Sequence, residues 1–166
     1  EAEPQVLIDP NILSEDGTVA LGGTSVSKDG KYMTYQLAAS GSDWNEIHLR
    51  DLETGKDLEE VIEWVKFSGV SWKGSGFYYS RYDAPEDGKA YSGKNEFHKV
   101  YYHELGTNQS EDKLIFRDTE KPEPNHYCTV TEDEKYLIMY AALGTDGYEL
   151  LYKDLGDPAA EFVKLF

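Results

Sequence analysis

Several features that would define a site or a compartment are missing from this sequence. The 166 residues include one cysteine, Cys128, which excludes an internal disulfide and a paired-cysteine zinc site, and we expect it to be a small buried apolar residue. No apolar run approaches the roughly 20 residues that a membrane-spanning helix needs, so no membrane partner is expected. The opening residues, EAEPQVLIDP, lack the basic and apolar segments of a signal peptide, which leaves cytoplasm and periplasm both open.

Basic residues are also scarce. Sixteen Lys and Arg face 32 Asp and Glu, which gives a formal net charge of −16. Such a chain repels phosphate backbones, so nucleic acid is not an expected partner. We interpret the acidity as a solvated surface.

Aromatic residues, in contrast, are abundant. They make up 13% of the chain and include 13 Tyr, which favours strands over helices. A polar turn followed by an aromatic-rich strand occurs three times, as SKDGKYMTY from residue 27, SWKGSGFYYS from 71 and TEDEKYLIMY from 131. A second segment follows each copy, and its acid, Asp51, Glu104 or Asp154, precedes a Leu and a turn. These acids are 53 and 50 positions apart, so one unit recurs about every 50 residues.

A repeat of this length without helical periodicity predicts the blade of a β-propeller. We predict an all-β partial propeller of about three four-stranded antiparallel blades, in units 22–67, 68–118 and 125–166, preceded by one strand of an earlier blade at 5–8. A helical turn is predicted at 57–63 and a loop insertion at 83–95. The strands are predicted at 24–26, 32–37, 47–51, 62–67, 69–72, 77–81, 100–104, 113–116, 127–130, 136–140, 149–154 and 161–165.

No nucleophile or metal site stands out. No Ser has Gly at both the −2 and +2 positions of a GxSxG elbow, and Ser42, the nearest by eye, is interpreted as a turn residue. His98 and His103 are predicted to point to opposite faces, in structural or solvent-facing roles. His126 and Cys128 could share a face but lack a third ligand. We therefore predict no catalytic residue, no metal and no cofactor within this chain.

The acids are likewise interpreted as structural. Asp57, Glu59 and Glu60 resemble a glycosidase pair in composition only and lie in a predicted connector. A propeller glycosidase would need acids converging on a central channel, whereas the repeated acids are expected at strand ends.

Four segments carry a family resemblance: DPNILSEDGTVAL from residue 9, AASGSDW from 38, VKFSGVSW from 65 and YYHELGTNQSED from 101. Together they resemble the propeller of prolyl oligopeptidase, also called prolyl endopeptidase, over residues 5–155. The family carries a seven-bladed propeller inserted into an α/β-hydrolase domain. The resemblance implies the second and third blades and part or all of the fourth, with the catalytic triad outside this segment.

Two site residues follow from the resemblance. Phe67 matches an aromatic near the substrate residues upstream of the scissile proline bond, where it would form a flat apolar wall; the alternative is a residue of the blade core. Asp43 matches an acid on a loop at the domain interface that could influence the charge around the peptide's amino end; the alternative is an ordinary Asx turn. In the loop after the second strand of the third unit, some family members carry Arg and Cys where this chain has Ala142 and Thr145, so substrate contacts from that loop are not expected to carry over.

The function implied is that of a non-catalytic propeller segment of a proline-specific serine oligopeptidase, which covers the active site and admits only short peptides. Its expected partners are short proline-containing peptides and the α/β-hydrolase domain of the same parent chain. The isolated chain is expected to lack peptidase activity and to self-associate through bare blade faces or strand exchange at 5–8. The alternative is a protein-binding propeller module without a hydrolase.

Overall fold

The computed structural model describes residues 3–39, 41–86, 88 and 94–166, apart from the side chain of residue 148. The described chain is built from antiparallel strands, with two short 3-10 helices at Pro10–Ile12 and Gln109–Glu111. Two compact units divide it, residues 1–63 and residues 64–166. The strands are β1 Val19–Val26, β2 Tyr32–Ala39, β3 Asn45–Asp51, β4 Asp57–Lys73, β5 Gly76–Arg81, β6 Lys99–Glu104, β7 Lys113–Arg117, β8 Asn125–Val130, β9 Tyr136–Leu143, β10 Asp146–Asp154 and β11 Val163–Lys164.

The first unit is a meander of neighbouring strands. β1 pairs with β2 and β2 with β3, all antiparallel, and the first part of β4 follows in the strand order. The buried apolar side chains of this unit are Met33, Tyr35, Ile47, Leu49 and Ile62. In β3 burial alternates, as expected for a sheet with one covered face, whereas in β2 Thr34 and Gln36 are buried as well. Arg50 at the end of β3 binds both carboxylate oxygens of Asp57 at 2.7 and 2.9 Å, which fixes the start of β4.

The second unit contains two sheets. The later part of β4 pairs with β5, β5 with β6 and β6 with β7, while β8 to β11 form a four-stranded sheet in the order β11-β10-β9-β8. The buried apolar residues of this unit come from both sheets, and most of them lie on β5 and β9. They include Phe77, Tyr79, Val100, Leu137 and Met139.

The repeat seen in the sequence has a common hydrogen-bond pattern. In the first and third copies, Ser27 and Thr131 each accept the amide of the Tyr five residues later and donate to the Asp two residues later. Glu134 has a φ of 58°, in the position that Gly30 occupies with a φ of 71°. The second copy is instead a tight hairpin in which Lys73 pairs with Gly76.

The Leu after each repeated acid makes the same bond in all three copies. Its backbone N–H donates to a carbonyl of the preceding hairpin, from Leu52 to Lys31, from Leu105 to Ser75 and from Leu155 to Lys135, at 2.8, 3.0 and 2.7 Å. Asp51, Glu104 and Asp154 are the last residues of β3, β6 and β10, as predicted. Asp51 and Asp154 cap the following turn amides, whereas Glu104 accepts the Ser75 hydroxyl.

Three local predictions are wrong. Residues 5–8 form no strand, and residues 57–63 are extended and begin β4 where a helical turn was predicted. The two strands predicted at 62–67 and 69–72 are one continuous strand, β4. Of the predicted loop 83–95, residues 87 and 89–93 lie outside the described part of the chain.

Candidate functional site

A bulge in β4 interrupts the pairing with β5, and two aromatic residues at or next to it have positive φ values. Val65 pairs with Arg81 and Val70 with Tyr79, so four residues of β4, 66–69, face one residue of β5, Ser80. Trp64, just before this step, and Phe67, within it, have φ values of 61° and 53°. Bulky residues seldom adopt a positive φ, because the Cβ crowds the backbone, and such strain persists only where the surroundings hold it.

The bulge turns Phe67 out of the core. Its side chain is 47% exposed, although Val65, two residues earlier, is fully buried. The ammonium of Lys66 lies 5.4 Å from the centroid of the Phe67 ring, a cation-π contact. The alternative in which Phe67 is a core residue is therefore wrong, and an aromatic surface is available at this position.

Hydrogen bonds from neighbouring strands hold the bulge. The Ser80 amide donates to the Ser68 hydroxyl at 2.7 Å, and that hydroxyl donates to the Gly69 carbonyl at 2.7 Å. The Tyr82 amide donates to the Trp64 carbonyl at 3.3 Å. The third contact comes from His98, whose Nε2 lies 2.9 Å from the Lys66 carbonyl oxygen.

His98 is a buried joint between three strands. It directly precedes β6, contacts β4 through Lys66, and its Nδ1 accepts the backbone N–H of His126 in β8 at 2.9 Å. The His126 ring returns a bond from its Nδ1 to the His98 carbonyl, at 3.1 Å. Since the Nδ1 of His98 accepts an N–H, the proton of the neutral ring is on Nε2 and is donated to Lys66.

Burial sets the charge state of this joint. Desolvation lowers the pKa of His98 to about 4, and it lowers the pKa of His126 as well. The ring of Tyr82 lies 4.5 Å from that of His98, and burial raises its pKa to about 12. The histidine side chains that link β4, β6 and β8 by hydrogen bonds are therefore neutral at ordinary pH.

His103 belongs to a second buried network. Its Nδ1 lies 2.6 Å from one oxygen of Asp112, and the Tyr79 hydroxyl donates to the other. Burial and the Asp112 carboxylate raise the pKa of Tyr79. His98 and His103 are thus both buried, which excludes the solvent-facing role and leaves the structural one.

Asp43 lies in the first unit. Its side chain is exposed on the turn before β3, its carbonyl accepts the Asn45 side-chain amide at 3.1 Å, and the Ser42 hydroxyl accepts the Trp44 amide at 3.0 Å. Ser42 is in a turn, as predicted; Ser40 lies outside the described residues. An exposed carboxylate on a turn interacts only weakly with a charged ligand, because water screens the charges.

The remaining predicted positions fall in ordinary surroundings. Cys128 is a partly buried free cysteine, and burial raises its pKa to about 12, which disfavours the reactive thiolate. Ala142 pairs with Gly147 in the β9–β10 hairpin, and Thr145 is exposed at its turn. In the part of the chain that the structure describes, no group of three His, Cys, Asp or Glu could hold a metal ion. Nor does any helix there have the length and apolarity to cross a membrane.

Comparison with known proteins places the chain in a class of propeller domains. The family model for the prolyl oligopeptidase N-terminal β-propeller domain matches residues 1–166. Prolyl endopeptidase from Elizabethkingia meningoseptica is 47% identical over 152 residues, which cover 91% of this chain and 22% of that protein. The dual function macrocyclase-peptidase POPB of Galerina marginata is 33% identical over 161 residues, 89% of this chain and 22% of that protein.

Solved structures agree with the sequence comparison. A structure from a study of inter-domain dynamics in two prolyl endopeptidases matches with a TM-score of 0.85 and 30% identity, over 98% of this chain and 22% of that one. Prolyl oligopeptidase B from Galerina marginata, bound to a 35mer hydrolysis and macrocyclization substrate, matches with a TM-score of 0.82 and 29% identity, over 94% of this chain and 24% of that one. The chain belongs to the prolyl oligopeptidase N-terminal β-propeller family. It spans about a fifth of the length of the curated relatives it matches.

Residues of the site that the sequence did not reveal are His98 and Ser68, which hold the bulge. Both bond across strands, over 32 positions from His98 to Lys66 and 12 from Ser80 to Ser68. The local signal available was VKFSG, in which the bulky Phe67 is followed by the small residues Ser68 and Gly69; this is compatible with a bulge but does not identify the residues that support it.

Proposed function

We propose that this chain is the part of a propeller that covers the active site of a proline-specific serine oligopeptidase and restricts it to short peptides. The observation that supports this most is the match of the family model over residues 1–166. The peptides are cleaved after proline through an acyl-enzyme, with the nucleophile, base and acid supplied by an α/β-hydrolase domain outside these residues and no cofactor needed. The propeller contributes shape and contacts.

The chain contributes three four-stranded blades to this propeller, over about 22–67, 68–118 and 125–166. Support comes from the strand count, because β1 to β3 with the first part of β4, then the rest of β4 with β5 to β7, then β8 to β11 are three groups of four. The Leu-to-hairpin bond that recurs in each group supports the same division.

Phe67 provides an apolar wall for the peptide residues upstream of the proline. An exposed ring on a strained but well supported bulge is suited to this, since the contact surface is formed before the peptide binds. Covering half of a Phe side chain contributes about 1 to 2 kcal/mol, and the contribution is the same in the ground and transition states.

Phe67→Ala in the full-length gene product tests this role. We expect KM for a proline-containing peptide to rise about tenfold with a smaller change in kcat, because uniform binding is lost. Leu114→Ala is the matched control, since Leu114 on β7 is 41% exposed and Phe67 47%. An unchanged KM for Phe67→Ala contradicts the wall. Failure of the full-length protein to cleave any proline peptide, with no GxSxG serine in its reading frame, would leave the protein-binding module as the function.

Asp43 acts on the amino end of the peptide through its charge. An exposed carboxylate attracts a free amino group weakly, by a few tenths of a kcal/mol up to about 1 kcal/mol. Asp43→Asn should therefore lower kcat/KM for a free-amine peptide two- to fivefold relative to its acetylated form, by the affinity arithmetic of such energies. An equal effect on both peptides would assign Asp43 to its turn alone.

The separate 166-residue chain self-associates with a second copy through the β8–β11 sheet. Large apolar side chains are exposed there; they are Tyr136, Tyr140, Leu143 and Val163. The net charge of −16 opposes contact, but at physiological salt screening acts over about 8 Å. Strand exchange at 5–8 is not part of this proposal, because no strand forms there. Sedimentation should show a dimer at micromolar concentration that Tyr140→Lys weakens and Val26→Lys does not; a wild-type monomer throughout contradicts it.

A further inference from the structure

Three of the four non-glycine residues with positive φ in the described chain surround one hydrogen bond. They are Trp64, Phe67 and Phe97, while the fourth, Glu134, is in a hairpin turn. The bond joins His98 to Lys66, and Phe97 and Phe67 are the chain neighbours of its two ends. Strained backbone conformations persist only where packing and hydrogen bonds hold them in place. The bond from His98 to Lys66 is therefore one of the contacts that hold these aromatic residues in their strained conformations.

The geometry at His98 is specific to an imidazole. One nitrogen must accept, because it receives the His126 N–H, and the other must donate, because a carbonyl can only accept. Neutral histidine is the side chain that offers both on a rigid ring. The Lys66 carbonyl that receives this donation belongs to the peptide bond whose nitrogen is that of Phe67, so the bond fixes the peptide plane from which the Phe67 ring projects.

We propose that His98 is a positioning residue for peptide binding, which holds the β4 bulge through the Lys66 carbonyl so that Phe67 faces outward. This role rests on the proposed wall function of Phe67. Without the donor, the bulge can relax toward regular strand geometry, and in regular alternation residue 67 shares a face with the buried Val65. His98 would not touch the peptide; it acts through the bulge.

Two substitutions separate the two bonds of the ring. His98→Asn keeps an acceptor near the Nδ1 position and removes the donor to Lys66. His98→Gln keeps a donor near the Nε2 position and removes the acceptor for His126. Tyr79→Phe is the matched control, since it removes the buried hydrogen bond to Asp112 in the same unit and keeps the backbone pair of residue 79 with Val70 at the end of the bulge. Urea denaturation of all three variants gives the stability loss against which the other effects are compared.

The first readout is the environment of the Phe67 ring in the 166-residue chain. With 4-fluorophenylalanine at the six Phe positions, the Phe67 ¹⁹F resonance is identified by its loss in Phe67→Leu. We expect His98→Asn to shift or broaden this resonance, His98→Gln to restore it toward the wild-type position, and Tyr79→Phe to leave it in place. An unshifted resonance in His98→Asn, or equal shifts in both His98 variants, would overturn the proposal.

The second readout uses the wild-type chain, so it can be obtained even if His98→Asn or His98→Gln fails to fold. In ¹⁵N-histidine spectra of the wild-type chain, His98 should show the tautomer with the proton on Nε2, with Nδ1 as an acceptor. A proton on Nδ1 would overturn the proposal, because the ring could not then donate to Lys66.

The third readout is peptide kinetics in the full-length gene product. His98→Asn should raise KM several-fold in the same direction as Phe67→Ala, with His98→Gln nearer the wild type. If Phe67→Ala leaves KM unchanged, the wall function fails, and the ¹⁹F and ¹⁵N results still decide whether His98 positions Phe67. If Phe67→Ala raises KM and His98→Asn does not, the positioning role fails while the wall function stands.

Discussion

The burial of His98 makes the folding stability depend on pH, and the size of the effect follows from the pKa of this residue. His98 has a pKa of about 4 in the folded chain and a reference value of 6.5. Between these values the unfolded chain binds more protons than the folded one, so stability is fully present above pH 6.5 and is lost as the pH falls toward 4. At about 1.4 kcal/mol for each pKa unit, the whole loss is about 3 kcal/mol, of which roughly 2 kcal/mol falls between about pH 7.5 and pH 5.

The perturbation that isolates this effect is His98→Gln, which removes the titrating ring. Urea unfolding followed by tryptophan fluorescence, at about pH 7.5 and pH 5, gives four free energies of unfolding. The variant should be less stable than the wild type near pH 7.5, and the gap should shrink by about 2 kcal/mol near pH 5. His126 is present in both proteins, so its own lowered pKa contributes to both curves and largely cancels in the difference.

The reference variant is His48→Gln in the first unit, where His48 bonds to the exposed carboxylate of Glu46 at 3.0 Å. This variant keeps His98 and should retain the wild-type loss that His98 causes. Parallel pH curves for wild type and His98→Gln would refute the reasoning, because they would mean that His98 binds protons equally in the folded and unfolded chains.

Two further predictions concern stability in the second unit. A Cβ at Gly76 would lie 2.1 Å from the His103 carbonyl oxygen, so Gly76→Ala should lower the free energy of unfolding, measured by urea denaturation, by about 2 to 4 kcal/mol. A Cβ at Gly69 would have no atom within 4 Å, so the control Gly69→Ala should change the free energy of unfolding by less than about 0.5 kcal/mol. Equal effects of the two substitutions would contradict the crowding at β5. Asp112→Ala should cost about 3 to 5 kcal/mol, since it leaves His103 and Tyr79 buried without their acceptor, against about 1 to 2 kcal/mol for Tyr79→Phe in the same assay. A smaller loss for Asp112→Ala than for Tyr79→Phe would contradict the shared network.

The parts of the fold that were predictable are those with local chemical causes. The hairpins at 27–32 and 131–136 follow from a small hydroxyl residue, an Asp two positions later and a strand-forming Tyr, and the hydrogen bonds join residues at most five apart. Asp51 and Asp154 likewise end their strands as predicted and accept turn amides at most three residues away. Such contacts depend on little beyond the segment itself.

The wrong or missing predictions concern residues whose conformation depends on partners that are distant in the sequence. Residues 57–63, DLEEVIE, contain good helix formers, yet Arg50 binds Asp57 and neighbouring strands extend the segment, so pairing outweighs propensity. The pairing of Asp112 with His103 could not be predicted, because the two residues are nine positions apart with a 3-10 helix between them and only the folded loop brings them together.

The outward position of Phe67 could not be predicted from the strand pattern. The resemblance names this residue as a site candidate, which remains a proposal, whereas strand alternation from the buried Val65 places position 67 on the core face. Alternation already fails one step earlier: Ile62 and Val65 are both fully buried although they are an odd number of positions, three, apart, because Trp64 with its positive φ lies between them. A second positive φ at Phe67 then turns the ring outward. The cost of two strained aromatics has to be offset elsewhere, and the described contacts that offset it come from Ser80, Tyr82 and His98 on other segments. The exposed ring is therefore a property of the folded unit as a whole, and periodicity within VKFSG cannot contain it.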